Sequence, residues 1–356
     1  MAGTIDILAR IEKIKNNSME TIRFGPDQKM TLTEPLDTWL SAGLRDFAVP
    51  EAIGSSARVF SLDYPPMAGD YADKPVIKIM RPDKTHYALP LFHSETRILN
   101  RMKDVPGITP LKRLGFMKVT AGNWPQELSP LTTTSLANAT ASHLSGEAQL
   151  FTATEIESFL SELDTRVEEG WLAFLILPRR WEDNLYLRCD AGYTRGEYHR
   201  SYAVTEALKA ALQICEILRQ AHEKGIVYLD HKALHYYWNQ PRQQVFVLDW
   251  NIGRIITNEN SQEVYAFDML QFSARALHHL MTGRQALGSV NVGPNKPEEI
   301  QKAPRKYEPI WTYDDQKRLM QEEMDVLGDA IQGHYKTASA LAHDLQTLYD
   351  RRQSQI

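Results

Sequence analysis

The hydrophobic pattern of this chain changes period several times, and the changes mark its elements. Arg58-Val-Phe-Ser-Leu-Asp-Tyr alternates, a Pro-Pro-Met-Ala-Gly turn follows, and Pro75-Val-Ile-Lys-Ile-Met80 reads as a second strand. A helical period takes over at His86–Met102, with Leu91, Ile98 and Leu99 on one side. Gly107-Ile-Thr-Pro-Leu and Leu114-Gly-Phe-Met-Lys-Val return to short strands or turns. Leu131–Ser142 is small, hydroxyl-rich and without period, so 120–150 reads as a loop or insertion. A helix is expected over Ala153–Glu169, where Thr152 and Glu155 have capping-box spacing. Trp171–Leu177 reads as a buried strand ending at Pro178.

The strongest helical signal is Tyr202–Lys224, with Leu208, Leu212, Cys215 and Leu218 at helical spacing and Gly225 as the stop. Two strands flank the Asn239–Gln243 turn, and Phe267–Met281 is an apolar-rich helix ending at Gly283. A Gly/Pro-rich linker, Gly288–Lys306, precedes two helices near Tyr313–Ile331 and Ala338–Arg352. Residues 1–45 are mixed and polar, with helices expected near Ile5–Lys15 and Leu36–Leu44, and read as an extension of the main domain. Strands plus one helix come first and mostly helices follow, an order that indicates the α+β class.

Composition narrows the function. The 356 residues are 43% hydrophobic and 24% charged, ordinary for a globular chain. A net charge of −5 argues against a nucleic-acid surface. No apolar run reaches the length of a membrane span, and Met-Ala-Gly-Thr-Ile-Asp lacks the features of a signal peptide. Cys189 and Cys215 form no metal pattern, so a reduced, cytoplasmic chain is expected rather than one joined by a disulfide.

The chemistry-bearing residues fall in a definite order. Asp230 and Asp249 stand 19 residues apart, each closing a short apolar run, with a polar hairpin between them. Phosphoryl transfer needs such a pair: one carboxylate orients the attacking hydroxyl, and another holds the metal that bridges nucleotide phosphates. Lys232 follows Asp230 by two residues and His235 by five. Lys78 lies in a strand, Val76-Ile-Lys-Ile79, where alternation puts it on the face opposite Ile77 and Ile79. Glu95 lies 17 residues later on the expected helix. Alone, Lys78 fits an edge-strand lysine in water and Glu95 a solvated helix glutamate; their order with the aspartates changes the reading.

This order resembles the protein kinase superfamily, in a divergent form similar to bacterial serine/threonine kinases, over about residues 50–350. The resemblance implies a two-lobed fold: a β-rich N-lobe over 46–177 with an insertion at 120–170, and a helical C-lobe over 178–356. It implies ATP as substrate with Mg2+ or Mn2+, and a hydroxyl acceptor on an unknown protein or small molecule, with no nucleic acid or membrane as partner. Asp230 and Lys232 take catalytic positions, Lys78 and Glu95 the phosphate-binding pair, and Asp249 the metal position. Gly54, Ser55, Ser56 and Val59 occupy the glycine-rich loop, with Gly54 its one matching glycine. Leu175 and Leu177 lie where the adenine-contacting strand is expected. Asp268 matches the aspartate that opens a central helix and supports the catalytic loop.

Departures from the family pattern are equally specific. His235 replaces an asparagine metal ligand; it binds a metal or hydrogen-bonds Asp230 or Asp249. A nitrogen ligand shifts preference from magnesium toward manganese and other transition metals. Tyr228-Leu229 replaces His-Arg, which removes the reader of an activation-loop phosphate. Asp249-Trp250-Asn251 replaces Asp-Phe-Gly, with Trp250 expected to pack near Tyr228 and Leu99, and Asn251 suited to a left-handed backbone. Only 19 residues separate Asp249 from Asp268, and no Ala-Pro-Glu lies between. These departures leave two alternatives beside a serine/threonine-type phosphotransferase: a pseudokinase scaffold and a small-molecule kinase.

Overall fold

The structure, a computed structural model, describes residues 20–24, 52–54, 56–61, 75–121, 145–180, 183–185, 204–257, 261–290, 300 and 302–355. It is α+β and divides into two compact units, residues 1–89 with 111–179, and 90–110 with 180–356. Among the described residues no helix is long and apolar enough to cross a membrane.

The first unit is built on one antiparallel sheet. Its strands are β1 (Glu20–Phe24), β2 (Ala52–Ile53), β3 (Ala57–Ser61), β4 (Pro75–Met80), β5 (Arg113–Ala121), β6 (Ser145–Thr152) and β7 (Leu172–Pro178). Their order is β1-β6-β5-β7-β4-β3-β2. β4 is therefore an interior strand, and its Ile77 and Ile79 are fully buried. Helix α1 (Thr85–Arg101) follows β4 after a short 3-10 turn, Pro82–Lys84, within one residue of the expected span at each end; only its first residues, up to Leu89, belong to this unit, and the rest belongs to the second. Helix α2 (Ile156–Glu168) buries Ile156, Phe159, Leu160 and Leu163. Phe159 stacks on Phe116 of β5 at 4.6 Å and meets Phe151 of β6 edge-on at 5.8 Å.

Three expectations for this unit need correction. Residues 145–150, read as loop, belong to β6, which pairs with β5 through Arg113↔Thr152 to Ala121↔Ser145. Residues 20–24, read as part of an extension, form β1, paired with β6 along its length. Thr152 does not cap α2. Glu155 is itself the cap residue, and its Oε2 accepts from the Thr152 N–H at 2.8 Å. The expected helices near Ile5–Lys15 and Leu36–Leu44, and the hydroxyl-rich segment 131–142, lie outside the described residues.

Close packing makes one position in this sheet intolerant. A Cβ on Gly115 would lie 2.1 Å from the Gln149 carbonyl oxygen and 2.6 Å from the Phe174 ring. The first contact is with backbone, which cannot rotate away. Gly115→Ala is expected to destabilise the unit by about 1–3 kcal/mol, measured by chemical denaturation; an unchanged midpoint would contradict this packing.

The second unit centres on helix α3 (Val204–Glu223), which buries Leu208, Ala211, Ile214, Cys215 and Leu218. Leu212, placed on the same stripe by sequence, is only half-buried. Gly225, at φ 72°, turns the chain into β9 (Ile226–Val227). A three-stranded sheet follows, β11 (Gln244–Val247), β10 (Tyr236–Asn239) and β8 (Asp183–Asn184), with the expected hairpin between β10 and β11. β12 (Arg254–Ile255) returns to pair with β9.

Helix α4 (Ser261–Gln271) runs into a π-helical stretch, Phe272–Leu277, and then α5 (His278–Thr282). Asp268 therefore sits within a helix that begins seven residues earlier, rather than opening it. The single helix expected over Tyr313–Ile331 is two, α6 (Tyr313–Arg318) and α7 (Gln321–Ile331). Each has its own start: Thr312 and Asp315 form a capping box, and the Met320 N–H donates to Glu323 at 2.8 Å. Helix α8 (Ala338–Gln353) closes the unit.

Candidate functional site

The loop between β9 and β10 carries Asp230, Lys232 and His235, and Asp268 anchors it. The fully buried Asp268 carboxylate accepts from the backbone N–H groups of Tyr228 at 3.1 Å and Leu229 at 2.7 Å. It also meets His231 Nε2 and His222 Nε2, both at 2.8 Å. Burial alone would raise its pKa, but the two histidines outweigh burial and hold it well below the usual carboxylate range. Leu229 takes a left-handed backbone, φ 65°, a strained conformation for a branched side chain. The two N–H bonds to Asp268 hold the backbone that leads into that residue, just ahead of Asp230.

Asp230 is 4% exposed, and cations stand at both of its oxygens. Lys232 Nζ donates to Oδ2 at 2.9 Å, and Arg275 Nη1 lies 3.9 Å from Oδ1. Arg275 is 3% exposed and comes from the π-helical stretch. Burial lowers its pKa, and Asp230 counters this.

His235 occupies the space between the two aspartates. Its Nδ1 is 3.1 Å from the Asp230 carbonyl oxygen and 3.2 Å from the Tyr228 hydroxyl. Its Nε2 lies 3.7 Å from Asp249 Oδ2. Burial lowers the His235 pKa, with Asp249 and Asp230 pulling the other way, so the ring is neutral near pH 7. Tyr228 is fully buried, and its hydroxyl donates to the Leu248 carbonyl at 2.6 Å, just ahead of Asp249. Burial raises the phenol pKa, as do the surrounding tyrosine and carboxylates.

Asp249 is the left-handed residue of its segment, at φ 57° and ψ 64°. Asn251, proposed for that backbone by sequence, is not among the described residues with positive φ. Aspartate tolerates the region nearly as well as asparagine, because its short polar side chain can bond locally. Trp250 packs edge-on against Tyr228 at 4.7 Å, as expected. Asp230, His235 and Asp249 each offer a ligand atom within 4.8 Å of the others, so the second unit brings together three residues singled out by sequence. Glu95, also in this unit, is 2% exposed and is not the solvated glutamate that its helix position alone would allow.

In the first unit, Val59, Lys78 and Leu175 lie side by side, paired Val59↔Lys78 and Lys78↔Leu175 across three strands. Leu177 pairs with Val76 on the same face. Lys78 is 7% exposed on an interior strand, so it is not an edge lysine in water. The loop before Val59 is a tight turn: the Gly54 N–H is taken by the Ala57 carbonyl at 2.9 Å, and the Gly54 and Ser56 carbonyls accept from Arg81. Ser55 lies outside the described residues.

Sequence reading missed Arg275, His222 and His231. His231 was visible between Asp230 and Lys232, and Arg275 lies two helical turns after Asp268. The π-helical stretch between Asp268 and Arg275 changes the phase that a regular helix would give. No protein-family model matches this chain, and no curated protein matches it significantly, so the functional reading rests on the geometry.

Proposed function

We propose that the chain is a divergent kinase-like phosphotransferase, moving the terminal phosphoryl group of ATP to an alcohol of the serine/threonine type. The observation that carries this reading is the cluster in the second unit: Asp230 with Lys232 on its Oδ2, and Asp249 next to His235. Under this reading the acceptor oxygen bonds to the terminal phosphorus as the bond to the ADP oxygen breaks. The hydroxyl proton passes to Asp230, and Lys232 balances charge on the transferred group. Asp249 and His235 would hold the divalent metal, which neutralises phosphate charge when bound. A buried lysine in register with Val59 and Leu175 suits a cation role toward phosphate beside an apolar wall for a base. The short span from Asp249 to Asp268 favours a compact acceptor over a docked peptide.

Thermal denaturation with ATP and either Mg2+ or Mn2+ tests the binding half of this reading. ATP at 100 times its dissociation constant is expected to stabilise the protein by about 2.7 kcal/mol, and Asp249→Ala to lose that stabilisation. A melting temperature unmoved by ATP in either metal would overturn nucleotide binding.

A further inference from the structure

We infer that a cavity beside helix α7 is a binding site for a guanidinium group, carried by a free small guanidine or by an arginine of another chain. It shares no residue with the Asp230 cluster, so it stands whether or not the phosphotransferase reading does.

The cavity has a volume of about 620 Å³, within the range of small-molecule sites. Gln321, Asp325 and Gly328 of α7, with Gln332 at its end, line it at the spacing of one helical face. Trp311 and Gln316 line it from the segment that begins α6. The His278 ring packs on the Trp311 indole at 5.5 Å and supports it.

Gly328 is the informative residue. It lies inside α7, and its carbonyl accepts the helical bond from the Gln332 N–H at 3.0 Å. Glycine weakens a helix interior relative to alanine, and a helix places no demand on it for positive φ. Gly328 is not among the glycines with positive φ. Nor does packing within the chain exclude a side chain, since a Cβ there would meet no described atom within 4 Å. What the missing side chain does is leave bare backbone in the cavity wall, open to close approach by a ligand.

The lining sets the chemistry of that ligand. It includes Asp325 and Asp329 and, among the described residues, no lysine or arginine. Asp325 Oδ1 accepts from Gln321 Nε2 at 2.8 Å, and Asp329 Oδ1 meets His334 Nδ1 at 3.0 Å. The second oxygen of each carboxylate is left to accept from a cation. The glutamine amide oxygens are further acceptors, and the indole suits a flat, weakly hydrated cation. A guanidinium combines planarity, several donors and weak hydration; an ammonium is compact and strongly hydrated.

The test is a calorimetric titration of the full chain with agmatine and, separately, with a blocked Gly-Arg-Gly peptide. The same peptide with lysine or with neutral citrulline in the central place is the control. At least one guanidinium probe is expected to bind saturably, with a dissociation constant of about 1 mM or tighter. Binding of agmatine alone assigns the site to a free small guanidine, and binding of the peptide to an arginine of another chain. The lysine and citrulline peptides are expected to bind at least about tenfold more weakly than the guanidinium probe. Gly328→Ala is expected to melt no lower than wild type and yet to lose at least about tenfold in affinity, because its methyl group enters the cavity. Asp325→Asn should weaken binding similarly while leaving the fold intact. No binding of either guanidinium probe, equal binding of the lysine peptide, or undiminished affinity in folded Gly328→Ala or Asp325→Asn would overturn the inference.

Discussion

Replacing Asp268 by alanine is expected to destabilise the second unit by about 3–5 kcal/mol, the cost of breaking a buried charge network. The carboxylate serves four donors at once: two backbone N–H groups and two histidines. Its loss leaves the Tyr228 and Leu229 N–H groups buried without acceptors and releases the left-handed turn at Leu229. Urea denaturation measures the effect, and a loss under about 1 kcal/mol would show that the network is not needed. Asp268→Asn should retain part of the stability, since an amide oxygen still accepts from the backbone. The folded pKa of this carboxyl lies below its unfolded value. Its contribution is therefore present above the ordinary aspartate range and is lost as pH falls through the depressed value. The stability difference between wild type and Asp268→Ala should accordingly shrink only in strong acid.

The second large effect concerns turnover. Asp230→Asn keeps the shape of the side chain and removes its capacity to take a proton. Under the proposed chemistry it is expected to lower the rate of phosphoryl transfer by about 100- to 10,000-fold while changing the KM for ATP little. The placement of Asp230 between Lys232 and Arg275 makes this split informative. If the side chain only neutralised those cations, the change would appear mainly as lost stability. Comparison of kcat, KM and the urea midpoint in one variant separates the two roles; full kcat in Asp230→Asn would exclude it as the base.

Much of the candidate site was legible because its residues end apolar runs. Asp230 and Asp249 close short strands, and Lys78 interrupts one, so polarity stood out against periodicity. The α+β class was likewise visible in the change of period after Met80. The missed parts depend on contacts distant in sequence. β6, Ser145–Thr152, alternates weakly and becomes a strand through pairing with β5 and β1. The break between α6 and α7 has no glycine or proline to announce it; it is marked by Glu323, which reaches back to accept from the Met320 N–H and starts a new helix. Arg275 reads as one more polar residue on a helix, and only the π-helical stretch brings it to Asp230. The left-handed backbone falls on Asp249 rather than Asn251, a choice between two tolerant residues that local sequence does not decide.

The most direct measurement is transfer of labelled terminal phosphate from ATP, to the chain itself and to a panel of small and peptide alcohols. It should be run with Mn2+ and with Mg2+, in wild type, Asp230→Asn and Asp249→Ala. The account predicts metal-dependent label on at least one acceptor in wild type, and its loss in both variants. No transfer to any acceptor by folded, ATP-binding protein, or transfer that persists in Asp249→Ala, would contradict it.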